Sequence, residues 1–200
     1  MNDSGDTDQL LQQVALGDAS AGAVLLDRYR DRLLRMVAVR MDHRLQSRVD
    51  PSDVVQDAMV TAHGRLGEFA QQRPMHFYAW LRQLTTDRLI DLHRHHLQAD
   101  RRTVIREIED ASTWQLAKFL ADSELTPLRH LLHEELCARV RNALKNSSDA
   151  AREVLLLRFV EQLSIRECAD VLGISETALK SRQLRALQSL GQLLEKDDTQ

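Results

Sequence analysis

The run LSIRECADVLGISETALKSRQLRALQSL, from Leu163 to Leu190, decides the fold. Ser164 followed three residues later by Glu167 is a capping box: the hydroxyl accepts from an orphan amide while the carboxylate reaches back to the N–H of the cap. A helix starts there. Ala169 and Leu172 continue its apolar side until Gly173 supplies the backbone freedom that a sharp stop requires. Ile174 falls in the turn, and Ser175 caps a second helix beginning at Glu176. Two short helices joined by a few residues that include Gly form the helix-turn-helix pattern.

The second helix splits by face, because residues three and four apart lie together on its surface. Leu179, Ala186, Leu187 and Leu190 make an apolar stripe, while Thr177, Lys180, Ser181, Arg185 and Gln188 fall opposite. Lys and Arg reach phosphates or guanine edges, and Ser, Thr and Gln supply shorter hydrogen bonds, so this side suits a major groove. An ordinary solvated helix face is the plainer alternative. The cations Lys180, Arg182 and Arg185, with no acid between Thr177 and Leu190, favour DNA. Leu184 on the polar side is either a contact for a thymine methyl or a flank of the core stripe.

Bulk properties agree with a helical chain. The 200 residues are 43% hydrophobic but only 4% aromatic, so the cores are built of Leu, Val and Ala. Seven Gly and three Pro offer little turn chemistry for a sheet, and an all-α protein is expected. The net charge of −3 is low for a chain that grips duplex DNA unaided. DNA affinity is therefore local, or lent by a partner. Cys137 and Cys168 fit a reducing, cytoplasmic setting as small core residues. No signal peptide opens the chain and no run approaches the roughly 20 apolar residues of a membrane span, so no membrane insertion is expected.

Residues 1–8 are polar and are expected to be frayed or disordered. Gln9 to Met41 carries helical periodicity with a break near Gly17 to Ser20. Asp50-Pro51-Ser52-Asp53 is a strong start signal, with an acid at the cap and Pro at the first helical position. In that helix Val55, Met59, Ala62 and Leu66 fall on the buried side; Asp53, Gln56, Asp57 and Val60 share the other, where two carboxylates and an amide suit a basic partner. Residues 67–74 read as a loop containing Phe69. Met75 to His96 reads as a helix with Phe77, Leu81, Leu84 and Leu92 on one side and Tyr78, Trp80, Arg82 and Arg88 nearby. Aromatics beside Arg and Thr suit unpaired bases, although Trp80 alone is more often a core residue. His93, His95 and His96 with Asp91 lack metal-site spacing and read as a wet, basic helix end running into Arg101-Arg102; no metal or cofactor is expected. Residues 103–130 are acidic and read as a linker, extended around Pro127. Leu131 onward returns to helix, Asn146 to Asp149 caps another, and the tail 195–200 is polar.

In order and spacing these motifs resemble a bacterial RNA polymerase sigma factor of the extracytoplasmic-function (ECF) group, a branch that keeps only regions two and four of larger sigma factors. The resemblance implies two small helical domains: region two over 9–102 and region four over 131–194, joined by the 103–130 linker. DPSDVVQDAM at Asp50 to Met59 resembles the signature that grips the coiled coil of the polymerase β′ subunit, which assigns core binding to Asp53, Gln56 and Asp57. FYAWLRQLTTDRLIDLHRH at Phe77 to His95 resembles the helix that recognises and melts the minus-ten element. That implies DNA contact for Phe77, Trp80, Arg82, Thr85, Asp87, Arg88 and Arg94, with a flipped base held in the preceding loop. GISETALKSRQLRAL resembles the reader of the minus-thirty-five element, implying roles for Thr177, Lys180, Ser181, Arg182, Leu184 and Arg185. Asp87 stands where the family often has Asn, and Ala178-Leu179 where it often has Thr-Val.

The implied activity is binding rather than catalysis: a sigma factor that joins core RNA polymerase, at the β′ coiled coil and β flap, and directs recognition and melting of promoter DNA. Its implied partners extend to an anti-sigma factor. A stand-alone helix-turn-helix regulator with a helical sensor domain explains Leu163 to Leu190 equally well and leaves Asp53, Gln56 and Asp57 idle. A metal-dependent hydrolase built on the histidines is the remote alternative.

Overall fold

The computed structural model of the chain describes residues 3–46, 48–97, 101–122 and 130–197. Among them there is no strand, and the chain divides into two units, Met1–Ile105 and Arg106–Gln200.

The first unit is built from α1 (Asp3–Ala15), α2 (Ala19–Arg40), the short α3 (His43–Gln46), α4 (Pro51–Gln72) and α5 (Phe77–Leu97). Sequence starts two of these helices by the same device. Asp18 accepts from the amides of Ser20 and Ala21 at 2.8 and 3.2 Å, and Asp50 accepts from Ser52 at 2.8 Å with Pro51 behind it. Hydrogen bonds hold both carboxyls below the usual range: the Ser20 hydroxyl first for Asp18, the Ser52 amide first for Asp50. Helices α2, α4 and α5 pack on one another, and α1 lies across α2 and α4. Gly22 leaves room for the Leu66 side chain of α4, since a Cβ there would sit 3.0 Å from Leu66 Cδ2.

Several expectations change here. The stretch from Asp3 to Asp8 is helical rather than frayed, because Thr7 is buried and its hydroxyl lies 2.9 Å from Tyr29 Oη. Residues 67–72 are not a loop: α4 runs through Gly64 and Gly67 and ends at Arg73, whose φ of 41° is a left-handed stop just before Pro74. Two interior glycines cost about 2 kcal/mol against alanine. Burying Leu66, Phe69 and Ala70 recovers more than that, at about 1.5–3 kcal/mol for each large side chain. Phe69 then joins an aromatic cluster, stacked 4.4 Å from Trp80 and 5.6 Å from Phe77, with Tyr29 at the edge of Phe77. His93 is fully buried rather than wet, while His95 is exposed; the side chains of His96, Arg101 and Arg102 lie outside those described.

The second unit contains most of α6 (Arg101–Asp122), then α7 (His130–Lys145), α8 (Asp149–Leu155), a π-helical turn at Leu156–Val160, α9 (Ile165–Leu172) and α10 (Glu176–Asp197). The stretch read as linker is thus helical to Asp122, with Glu109 and Asp110 on its outer side, Glu107 half-buried, and Ile108, Leu116, Ala117 and Ala121 buried. The extended part expected around Pro127 lies outside the described residues. On α6 the Trp114 ring receives the Arg141 guanidinium at 5.3 Å. Glu109 stands near Asp149, Arg152 and Glu153; partial burial first, and then the Asp149 charge, push its carboxyl up. Helix α10 packs against α7, α8 and α9 around Leu144, Leu155, Leu157, Leu163, Cys168 and Leu179. Cys137 and Cys168 are both buried thiols.

Candidate functional site

Helix α4 presents a polar face by simple periodicity. Val54, Val55, Ala58, Met59 and Ala62 are buried, and Asp53, Gln56, Asp57 and Val60 are exposed, Val60 at 68%. Gln56, Val60 and His63 form one wall of a groove of about 670 Å³ whose other wall is Ala23, Leu26, Asp27 and Arg30 of α2. The groove has an apolar floor and a rim carrying both charge signs. Sequence reasoning found the α4 wall and missed the α2 wall.

On α5 the seven residues expected to touch DNA separate by burial. Phe77 is 4% exposed and Thr85 is 0%, its hydroxyl already donated to Leu81 O at 2.8 Å, so both are corrected from contact residues to parts of the core. A buried Thr hydroxyl bonded one turn back cannot reach a base. Trp80 and Arg82 are half-buried, and the ring of Trp80 is fixed by Phe69 and Phe77. Asp87 and Arg94 are exposed, Arg94 lying 4.0 Å from Asp91. Arg88 leans towards α4, donating to Asp57 Oδ2 from Nε at 2.9 Å and from Nη2 at 2.6 Å.

In the second unit the predicted capping box is present in both directions: Ser164 N–H donates to Glu167 Oε2 at 2.8 Å, and Glu167 N–H donates to Ser164 Oγ at 3.2 Å. Gly173 closes α9 with φ 63°, where Ile174 N–H donates back to Ala169 O at 3.0 Å. Ser175 Oγ then accepts from Ala178 N–H at 3.1 Å and opens α10. Leu179, Ala186 and Leu190 face the core as expected, but Leu187 is 38% exposed and leaves the stripe. Thr177, Lys180, Ser181, Leu184 and Arg185 are all exposed and Arg182 is half-buried; Arg185 Nε donates to Ser181 O at 3.2 Å, which lays the guanidinium along the helix. Leu184 is 57% exposed on this polar side. Replacing Ser164 by Ala removes one half of the box, and the second unit is expected to lose about 1 kcal/mol, read as an earlier unfolding midpoint with unchanged helix content at room temperature.

Among the described residues no group of three His, Cys, Asp or Glu is arranged to hold a metal, and no helix is long and apolar enough to cross a membrane.

Comparison with known proteins bears on both units. The family model described as ECF sigma factor matches residues 4–190. The RNA polymerase sigma-H factor of Pseudomonas aeruginosa is 30% identical over 190 residues, covering 94% of this chain and 93% of its own. The RNA polymerase sigma factor CnrH of Cupriavidus metallidurans is 33% identical over 148 residues, 74% of this chain and 75% of its own. Among solved structures, that of CnrH in complex with the cytosolic domain of CnrY aligns with a TM-score of 0.53 at 26% identity, covering 96% of this chain and 99% of the other.

Proposed function

This chain belongs to the ECF sigma factor family, and from that premise we propose how its surfaces divide the work of binding core RNA polymerase and directing transcription initiation. Asp53, Gln56 and Asp57 dock a basic face of the polymerase, with Val60 and the adjoining groove supplying apolar contact. On α5, Trp80, Arg82, Asp87, Arg88 and Arg94 lie along the melted minus-ten strand, where ring stacking and phosphate pairing offset the unstacking of bases. On α10, Lys180, Ser181, Arg182, Leu184 and Arg185, with Thr177 at its start, meet the minus-thirty-five duplex in its major groove.

The observation that carries this reading is the exposed α4 face. A helix that needs only its buried side to fold exposes two carboxylates, an amide and a valine in one row. A protein that acted on DNA alone would have no use for that row, and its net charge of −3 would work against it. Affinity supplied by the polymerase resolves both points. The chain acts by association, without a reaction of its own, in the cytoplasm where polymerase is found. Because CnrH is held by the cytosolic domain of CnrY in its solved complex, sequestration by a soluble partner domain is the control we assign here as well.

The test is co-elution with bacterial core RNA polymerase on size exclusion, comparing the natural chain with an Asp53→Ala, Gln56→Ala, Asp57→Ala variant. The natural chain is expected to shift into the polymerase peak and the variant to elute free. A natural chain that stays free in the presence of competent core enzyme removes the assignment.

A further inference from the structure

We propose that Asp57 and Arg88 form a latch between the polymerase-binding and DNA-binding surfaces, so that polymerase, by engaging the Asp57 carboxylate, releases the Arg88 guanidinium to a DNA phosphate. The inference rests on the division of surfaces given above and adds a coupling between them.

Its basis is a single contact that joins two helices and two roles. Arg88 turns the Nε–Nη2 edge of its fork onto one oxygen of Asp57, at 2.9 and 2.6 Å, across 31 residues of sequence. That edge is the one a guanidinium uses to clasp a phosphate with two parallel hydrogen bonds. While it holds Asp57, the head group is tethered to α4 and withheld from the strand along α5. Asp53 behaves differently: one turn earlier on the same face, it has no ion-pair partner among the described residues. Asp53 and Gln56 are therefore available for first contact with polymerase, and Asp57 is the carboxylate that must change partners.

The exchange is chemically balanced. A cation on the polymerase replaces Arg88 at Asp57, and a phosphate replaces Asp57 at Arg88, so no charge is left uncompensated. It is also cheap to open, because both side chains are partly exposed, Arg88 at 39% and Asp57 at 49%, and a wet pair of this kind holds weakly. Coupling of this sort is reciprocal: polymerase strengthens the grip on DNA by the factor by which DNA strengthens the grip on polymerase. A free chain with its latch closed has one cation fewer for non-specific DNA.

The test is a double-mutant cycle on the full chain with Asp57→Asn, Arg88→Gln and both together. Two quantities are read: binding to a fluorescein-labelled single strand of random sequence across a salt series, and binding to core polymerase. Asp57→Asn alone is expected to bind the strand about two- to fivefold more tightly than the natural chain, the range an exposed ion pair can impose. Its salt slope should steepen by about 0.7, one additional phosphate on a single strand. Most of that gain should vanish when Arg88→Gln is also present. Arg88→Gln alone should bind core polymerase more tightly by a similar factor, because Asp57 is then unheld.

An equal gain from Asp57→Asn in the Arg88→Gln background would report only the loss of a negative charge and would overturn the latch. So would no gain at all while Arg88→Gln still weakens the strand, a result that leaves the division of surfaces standing. If Arg88→Gln changes strand binding in neither background, the assignment of Arg88 to DNA fails, and the latch with it. Helix content by circular dichroism is measured on all four proteins, and the double variant, which carries neither charge, serves as the folding control.

Discussion

A Leu179→Ala variant is expected to lower the stability of the second unit by about 3 kcal/mol, in the middle of the range for large-to-small changes in a core. For a unit of this size that is a fall of more than about 10 °C in unfolding midpoint, followed by circular dichroism of the full chain. The size of the effect follows from position. Leu179 is fully buried in the first turn of α10, a helix that packs on α8 and α9. At a fully buried position the lost transfer free energy and the cost of the cavity add. Leu184→Ala on the same helix is the internal control: at 57% exposure its loss should change stability by no more than about 0.5 kcal/mol. Similar losses at both positions would mean that α10 is docked through a different face.

The second large effect is on DNA. Lys180→Ala combined with Arg185→Ala is expected to remove two phosphate contacts from α10 and to reduce the slope of log affinity against log salt by about 1.8 on duplex DNA. Both side chains are exposed, and neither caps a helix or fills the core, so the variant should keep the helix content of the natural chain. The drop in affinity should be largest at low salt and shrink as salt rises, since what is lost is counterion release. An unchanged slope would show that the exposed polar side of α10 is a solvated surface and that the duplex is met elsewhere.

Much of this architecture could be read from residue order because its signals are local. Ser164 with Glu167, Gly173 before Ile174, and Asp50 before Pro51 each act within four residues, and each reappears as a cap or stop in the structure. The exposed row on α4 was legible for the same reason, since periodicity decides which side of a helix is buried. The failures share a different cause: they depend on what arrives from elsewhere in the chain. Gly67 looks like a terminator until Phe69 finds Trp80 and Phe77, which makes continuing the helix the cheaper choice. Thr7 looks like part of a polar tail until Tyr29 meets it. Thr85 looks like a base contact until the fold turns it inwards. The pairing of Asp57 with Arg88 crosses 31 residues and two helices, and no pattern in the sequence marks it.

The stops at either end of α9 are made entirely by the residues they delimit. Ser164 and Glu167 satisfy each other at one end, while Gly173 closes the other and Ser175 opens the next helix. As heritable information the module is therefore nearly self-contained. A recombination event that replaced the outward residues between Thr177 and Arg185 while keeping Leu179, Ala186 and Leu190 would inherit the turn intact. A lineage can in this way exchange a few surface codons on α10 without searching again for a chain that folds.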